Sequence, residues 1–249
     1  MPASDDFAAW SASPGIPSVL AAARDSVDVL LRDRGLRRTT AALTSESLLK
    51  GAAASALLEA DSPTTDPASY AEAVQQLRTG QAAPTAAAAA RLNASLLALV
   101  PVVRRSPLQA LARMHTLAAP ADVPAESRGR PRLQVGVAQR LQELSTRLVA
   151  TTQAPAVAVA ALAHAELKTI APFEGANGLV ARALERLILV ARGVDPTSMT
   201  VPEAGHLALA DSYRSALAAY AVGDAAGRHA WLAHASAALP AGVAASPLR

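Results

Sequence analysis

Apolar residues recur at helical spacing along nearly the whole chain. No stretch alternates apolar and polar positions with the β-branched residues that a half-buried strand needs. Residues 18–34 read as an opening helix, with Val19, Leu20, Val27, Leu30 and Leu31 as its apolar positions and Gly35 as its stop. A second helix over 44–59 ends before "ADSPTTDP", where two prolines enforce a loop. Helices follow over 68–77, 85–100 and 107–117. The segment "APADVPAESRGRPR", 119–132, holds three prolines, a glycine and three arginines and reads as a loop. Helical spacing then resumes over 133–151, 155–170, 177–191, 202–220 and 225–238. The expectation is an all-α protein with a helical extension over 1–105, a helical core over 106–240 and a flexible tail over 241–249.

Composition narrows this picture. A chain of 249 residues should bury roughly 70–75% of its unfolded surface and needs no staple. There is no cysteine, which excludes disulfides, thiolate metal sites and cysteine nucleophiles together. "MPASDDFAAW" has neither the basic nor the apolar region of a signal peptide. The most apolar stretch, "AAPTAAAAARLNASLLALVPVV", is broken by Pro84, Arg91, Asn93 and Pro101, so a cytoplasmic protein that does not enter membranes is expected. The pI of 9.8 suggests nucleic acid, yet the formal charge is only +3, and Lys50 and Lys168 are the only lysines. A solvated arginine surface fits better than a nucleic-acid footprint. The "SRGRPR" string, with Arg128, Arg130 and Arg132, has no aromatic for base stacking.

The segment with chemical character is "IAPFEGANGLVAR", 170–182. A Pro–Phe pair leads into small residues and then an amphipathic helix carrying Arg182. Backbone N–H groups at the start of such a helix face an anion favourably. With its flanks, "LAHAELKTIAPFEGANGLVARALERLILVARG" resembles the core of the Fic (Fido) family, whose pattern is His-x-Phe-x-Asp/Glu-Gly-Asn-Gly-Arg-x-x-Arg. The later segment "YRSALAAYAVGDAAGRHAWLAHA" is similar to the family's closing helices, with Tyr213, Leu217, Tyr220, Gly223, Asp224 and Trp231 in matching places. The resemblance covers at least residues 107–238. It implies a Fic-like helical core and, for intact members, transfer of AMP from ATP to a hydroxyl of a target protein.

The resemblance also shows what is missing. The family's general-base histidine is Ala171, its magnesium-binding acid is Gly175, the first glycine of its turn is Ala176, and its first arginine is Leu179. Loss of a positioned base alone typically costs about 10²–10⁴-fold in rate. No catalytic residue and no metal ligand is therefore assigned; Glu174 stands one position early for the metal. Residual nucleotide or anion binding would fall to Asn177, Gly178 and Arg182, with Pro172 and Phe173 as packing anchors. Ala176 is awkward if its backbone must be left-handed.

A second piece agrees with the resemblance. Many Fic proteins carry an inhibitory helix with the pattern Ser/Thr-x-x-x-Glu-Gly/Asn, whose glutamate pairs with the second motif arginine. Here "SALLEA" supplies Ser55 and Glu59 within 44–60, with Ala60 departing from the pattern, and Arg182 is the expected partner. His164 precedes the motif as a satisfied core residue. His206, His229 and His234 give no metal pair, since five-residue spacing puts the last two on different helix faces.

The favoured expectation is a pseudoenzyme: a protein-interaction or regulatory module whose partner is a protein target or regulator, with no nucleic acid and no membrane. A homodimer is left open. No cofactor is certain, and ATP with Mg2+ applies only if the site still works. An active nucleotidyl- or phosphoryl-transferring enzyme with an altered mechanism is the alternative, and a ligand-free remnant the third reading.

Overall fold

The computed structural model describes residues 5–34 and 40–249; Gly35, expected to stop the first helix, lies outside them. The described residues contain no strand. In chain order the helices are α1 (Asp6–Ser11), α2 (Ile16–Arg34), α3 (Ala41–Leu57), α4 (Pro67–Thr79), α5 (Pro84–Leu96) and α6 (Val100–Val103). After them come α7 (Pro107–Ala118), α8 (Val137–Val149), α9 (Ala156–Ile170), α10 (Asn177–Ala191), α11 (Pro202–Ala208), α12 (Ala210–Val222) and α13 (Ala225–Ala244).

The centre is the α9–α10 pair. A helix that is apolar almost all round is a buried one, as α9 is from Val157 through Ala165, and α10 is buried from Gly178 through Val190 although it carries charged residues. Alanines on both (Ala158, Ala161, Ala181, Ala183) are buried. The other helices wrap this pair, and residues on both sides of position 105 enter one apolar cluster, from Phe7, Leu20 and Leu92 to Leu111, Leu144 and Trp231. Trp231 is wholly buried and donates its indole N–H to the Ala161 carbonyl at 2.7 Å.

Several expectations need correction. The apolar stretch Pro84–Val103 is long and apolar enough to cross a membrane by composition. It is nevertheless interrupted by a 3₁₀ turn over Leu97–Leu99, and it places Leu92, Leu96, Leu99 and Val103 in the core. The helix expected over 133–151 starts only at Val137, because the Arg132 N–H donates to the Pro172 carbonyl at 2.7 Å and holds the chain non-helical before it. The helix expected over 202–220 breaks at Leu209, whose φ/ψ of −116°/37° is not helical.

Of the tail expected to be flexible over 241–249, the residues through Ala244 continue α13 past Pro240, which removes one helix hydrogen bond. Packing holds it there. A Cβ on Gly242 would lie 2.7 Å from the Val201 carbonyl, and one on Gly205 would collide with the Ala238 carbonyl. The Val201 N–H donates to the Gly242 carbonyl at 3.1 Å, and the Lys50 ammonium donates to the Ala245 carbonyl at 3.1 Å, satisfying the negative end of α13.

Candidate functional site

The loop between α9 and α10 keeps a demanding shape without its reactive groups. Gly175 has φ 75°, which glycine adopts freely, but Ala171 (φ 45°) and Ala176 (φ 53°) are also left-handed. That conformation costs an alanine roughly 1–2 kcal/mol, so something must enforce it. Asn177 does much of this, since its side chain accepts from the Phe173 N–H at 2.9 Å and donates to the Phe173 carbonyl at 2.8 Å. The Arg132 guanidinium donates to the Ala171 carbonyl at 2.5 Å. Phe173 is buried and stacks on His115, with ring centroids 4.3 Å apart and planes within 5°. His115 in turn accepts from the Gly129 N–H at 2.9 Å and approaches the Glu174 carbonyl at 3.3 Å, and burial holds its pKa below the usual histidine value.

The loop is thus clamped to the 119–132 segment. Two of the three arginines there serve that framework, since Arg128 donates to the Val123 and Ala121 carbonyls while Arg132 serves Ala171. Replacing Ala176 by glycine should relieve the left-handed strain and raise stability by about 1 kcal/mol, less the extra freedom gained by the unfolded chain. A urea melt reads this, and a loss of stability would contradict the assigned backbone.

Ser55, Glu59 and Arg182 come together. The Arg182 side chain is buried; it donates to the Ser55 hydroxyl at 2.8 Å, the Ser55 carbonyl at 2.9 Å, the Tyr213 hydroxyl at 3.1 Å and Glu59 Oε1 at 2.5 Å. Burial alone would raise the Glu59 carboxyl, but Arg182 and Lys168 outweigh it and hold it below the usual carboxylate value. Gly178 is where this carboxylate needs room. A Cβ there would collide with Glu59 Oε1 and lie 3.0 Å from the Lys168 ammonium. Burial lowers the Lys168 pKa, opposed by Glu59. The nucleotide- or anion-binding trio of Asn177, Gly178 and Arg182 is therefore already engaged, by the loop, by the Glu59 carboxylate and by four internal acceptors respectively.

Leu179 is buried and carries no charge toward the loop. Beside it lies an open groove of about 710 Å³ between α5, the 118–122 segment and the loop, with Glu59, Arg91, Asp122, Arg128, Ala176 and Leu179 on its walls. Leu179 has not filled the groove. A magnesium ion does not fit this loop. Gly175 offers no ligand, and the Glu174 carboxylate instead accepts from the Ser127 hydroxyl at 3.4 Å.

Behind Arg182 runs a polar chain that the sequence reading did not find. On α10, Arg182, Glu185 and Arg186 share a face at i, i+3 and i+4 spacing, and all three are buried. Glu185 Oε2 lies 2.5 Å from His164 Nδ1 and 2.8 Å from His206 Nε2. His164 Nε2 lies 3.0 Å from the Tyr213 hydroxyl, His206 Nδ1 lies 3.0 Å from His234 Nε2, and His234 Nδ1 lies 2.9 Å from the Ser212 hydroxyl. One proton assignment satisfies every contact. Ser212 donates to His234, His234 to His206 and His206 to Glu185. Arg182 donates to Tyr213, Tyr213 to His164 and His164 to Glu185.

Two arms converge on one buried carboxylate, and one of them reaches Arg182. Burial lowers the His164 pKa to about 4 and that of His234 to about 3. Burial disfavours an ionised Glu185, yet His206 and His164 together hold it well below the usual carboxylate range. His164, Glu185 and His206 could be taken for a metal centre, with ligand atoms within 4.8 Å of one another. The 2.5 and 2.8 Å contacts to one oxygen are too short for that, since donor atoms around a tetrahedral ion at about 2.0–2.1 Å stand roughly 3.3 Å apart. The expectation that His164 is a satisfied core residue matches this placement. The sequence clue to the network was the polar trio inside an otherwise apolar helix.

No established family profile matches the sequence, and no curated protein is detectably similar to it. Solved structures do match. A Fic family protein from Desulfovibrio desulfuricans G20 superposes with a TM-score of 0.69 at 17% identity, covering 91% of this chain and 73% of that one. A segment of Fic-1 from C. elegans gives a TM-score of 0.66 at 16% identity, covering 94% of this chain and 74% of that one. Helical order, an α9–α10 pair at the centre and this breadth of superposition lead to one structural conclusion: the chain has the fold of the Fic proteins.

Proposed function

We propose that this chain is a Fic-family pseudoenzyme that does not transfer AMP by the family mechanism and acts as a cytoplasmic protein-interaction or regulatory module. The observation that carries this reading is the state of Arg182, whose guanidinium is wholly engaged by Ser55, Tyr213 and Glu59. Three further positions remove the chemistry itself. Ala171 offers no base, Gly175 no metal ligand and Leu179 no cation. A transferase needs charge stabilisation where charge develops, and the Arg182 guanidinium is already neutralised by a carboxylate. The pairing also supports the reading of Ser55 and Glu59 as a retained inhibitory helix. The open groove favours a module that still holds a ligand over a filled remnant.

The test is a calorimetric titration with ATP, with and without magnesium, beside an assay for AMP incorporation into protein. The native chain should give no heat in either condition. Glu59→Ala should leave Arg182 buried without its counter-charge and let the anion bind, still with no transfer. Incorporation of AMP above that of an Arg182→Ala control would overturn the proposal and favour the altered-mechanism enzyme.

A further inference from the structure

Glu59 faces two clefts, not one. Besides the groove, it lines a smaller cleft of about 300 Å³ on the other side of Thr85, between the end of α3, α4 and the start of α5. The walls of that cleft are mostly alanine, such as Ala56 and Ala73, with one leucine, Leu57, and with Gln76 and Thr85 as its uncharged polar groups. Glu59 is its only charged wall residue among the described residues. The carboxylate is divided in use. Oε1 holds Arg182, whereas Oε2 accepts no hydrogen bond from any described residue, and about a quarter of the side chain remains exposed.

We infer that this cleft is a binding site for an alkylguanidinium or alkylammonium group, which lays its methylene stem along the alanine walls and donates to Glu59 Oε2. The chemistry follows from what is present. An apolar channel with a single carboxylate rejects anions, gives little to uncharged polar molecules and suits a cation on an aliphatic stem. A guanidinium can engage a carboxylate oxygen directly, a stronger contact than a neutral donor would make. The occupant would share the carboxylate with Arg182 and so loosen the contact that the proposed function treats as a lock. Only this last consequence rests on that reading; binding itself does not.

The cation can come from a free polyamine-like molecule or from an arginine or lysine side chain of a partner. Titration of the isotope-labelled chain with agmatine, and separately with N-acetyl-arginine methylamide, separates the two while following backbone amides by NMR. Saturable shifts centred on Ala56, Ala73, Gln76 and Thr85 are expected. Saturation by agmatine alone identifies a free-amine site, and saturation by the blocked arginine identifies a side-chain site.

Glu59→Gln should weaken binding by about tenfold or more. Ala73→Phe, which fills the cleft and leaves Glu59 in place, should abolish it. The Arg182 Nε–H signal, held by Ser55, should broaden on saturation. No shifts with either probe up to about 10 mM, a free energy near −3 kcal/mol, would overturn the inference, as would unchanged affinity in both variants. A chain that proved able to transfer AMP would fail the previous test and could still pass this one, so the two ideas fall separately.

Discussion

Arg186→Met is expected to destabilise the fold by about 3–5 kcal/mol, the largest single-site effect the structure supports. Arg186 is buried on α10 and meets Glu203 of α11 through two parallel contacts, Nε to Oε1 at 2.9 Å and Nη2 to Oε2 at 2.6 Å. Its remaining nitrogen donates to the Ser47 hydroxyl at 3.1 Å, the Ser198 hydroxyl at 2.8 Å and the Thr200 carbonyl at 2.8 Å. One guanidinium thus joins α3, α10, α11 and the turn before α11. Removing it strands the Glu203 carboxylate, which is also buried. Against a typical total of about 5–15 kcal/mol, such a loss is a large fraction of the whole stability.

The paired change Arg186→Met with Glu203→Leu removes both charges and should recover most of the stability, because a buried ion pair adds little over apolar groups of similar size. Urea melts of the parent, the single and the double variant decide the matter. A single variant as stable as the parent would mean that Glu203 finds water or another donor.

Stability should also fall with acid from near neutrality, well before ordinary carboxylates titrate. The folded chain holds His164 near 4 and His234 near 3, whereas an unfolded histidine titrates near 6.5. Between those values the unfolded chain binds more protons, so stability drops as pH falls below about 6.5. For His164 alone this amounts to something on the order of 3 kcal/mol by the time pH nears its folded value. Glu59 and Glu185 act in the same direction further down. Their folded pKa values are depressed, so their contribution is present above about pH 4.5 and is lost as pH falls through the folded values. The urea midpoint should decline between about pH 7 and pH 5 and more steeply below. A flat midpoint across the upper window would show that the histidines are not buried as neutral rings, and His164→Gln should remove part of the slope.

The sequence carried the helices wherever local signals agreed. The α9–α10 pair was legible from its alanine- and leucine-rich composition and its flanking Pro155 and Asn177, and the loop from its small residues. The contact of Ser55 and Glu59 with Arg182 was legible only because a family resemblance supplied the pairing; Ser-x-x-x-Glu by itself is an ordinary surface string. What stayed hidden depends on tertiary contacts. Nothing local marks Leu209 as a helix break, yet the turn there lets α11 and α12 separately place His206 and Tyr213 around His164. Arg186 looks like any other arginine in a chain rich in them, and only its apolar neighbours on α10 distinguish it. The α13 extension past Pro240 follows from the tight crossing at Gly205 and Gly242, which no window of sequence contains.

That last crossing has a consequence for how the molecule is made. A chain leaves the ribosome N-terminus first, and here α13, made well after the helices it packs on, is part of the interior. Trp231 fills the middle of the α9 packing, Gly242 receives the Val201 N–H, and Ala245 receives Lys50 from almost two hundred positions earlier. The earlier helices form from local contacts during synthesis, but the cavity they surround cannot close until α13 is free to enter it. Final compaction therefore waits until α13 has emerged, and until then an apolar cleft lined by α2, α9 and α12 stays open to whatever holds nascent proteins apart.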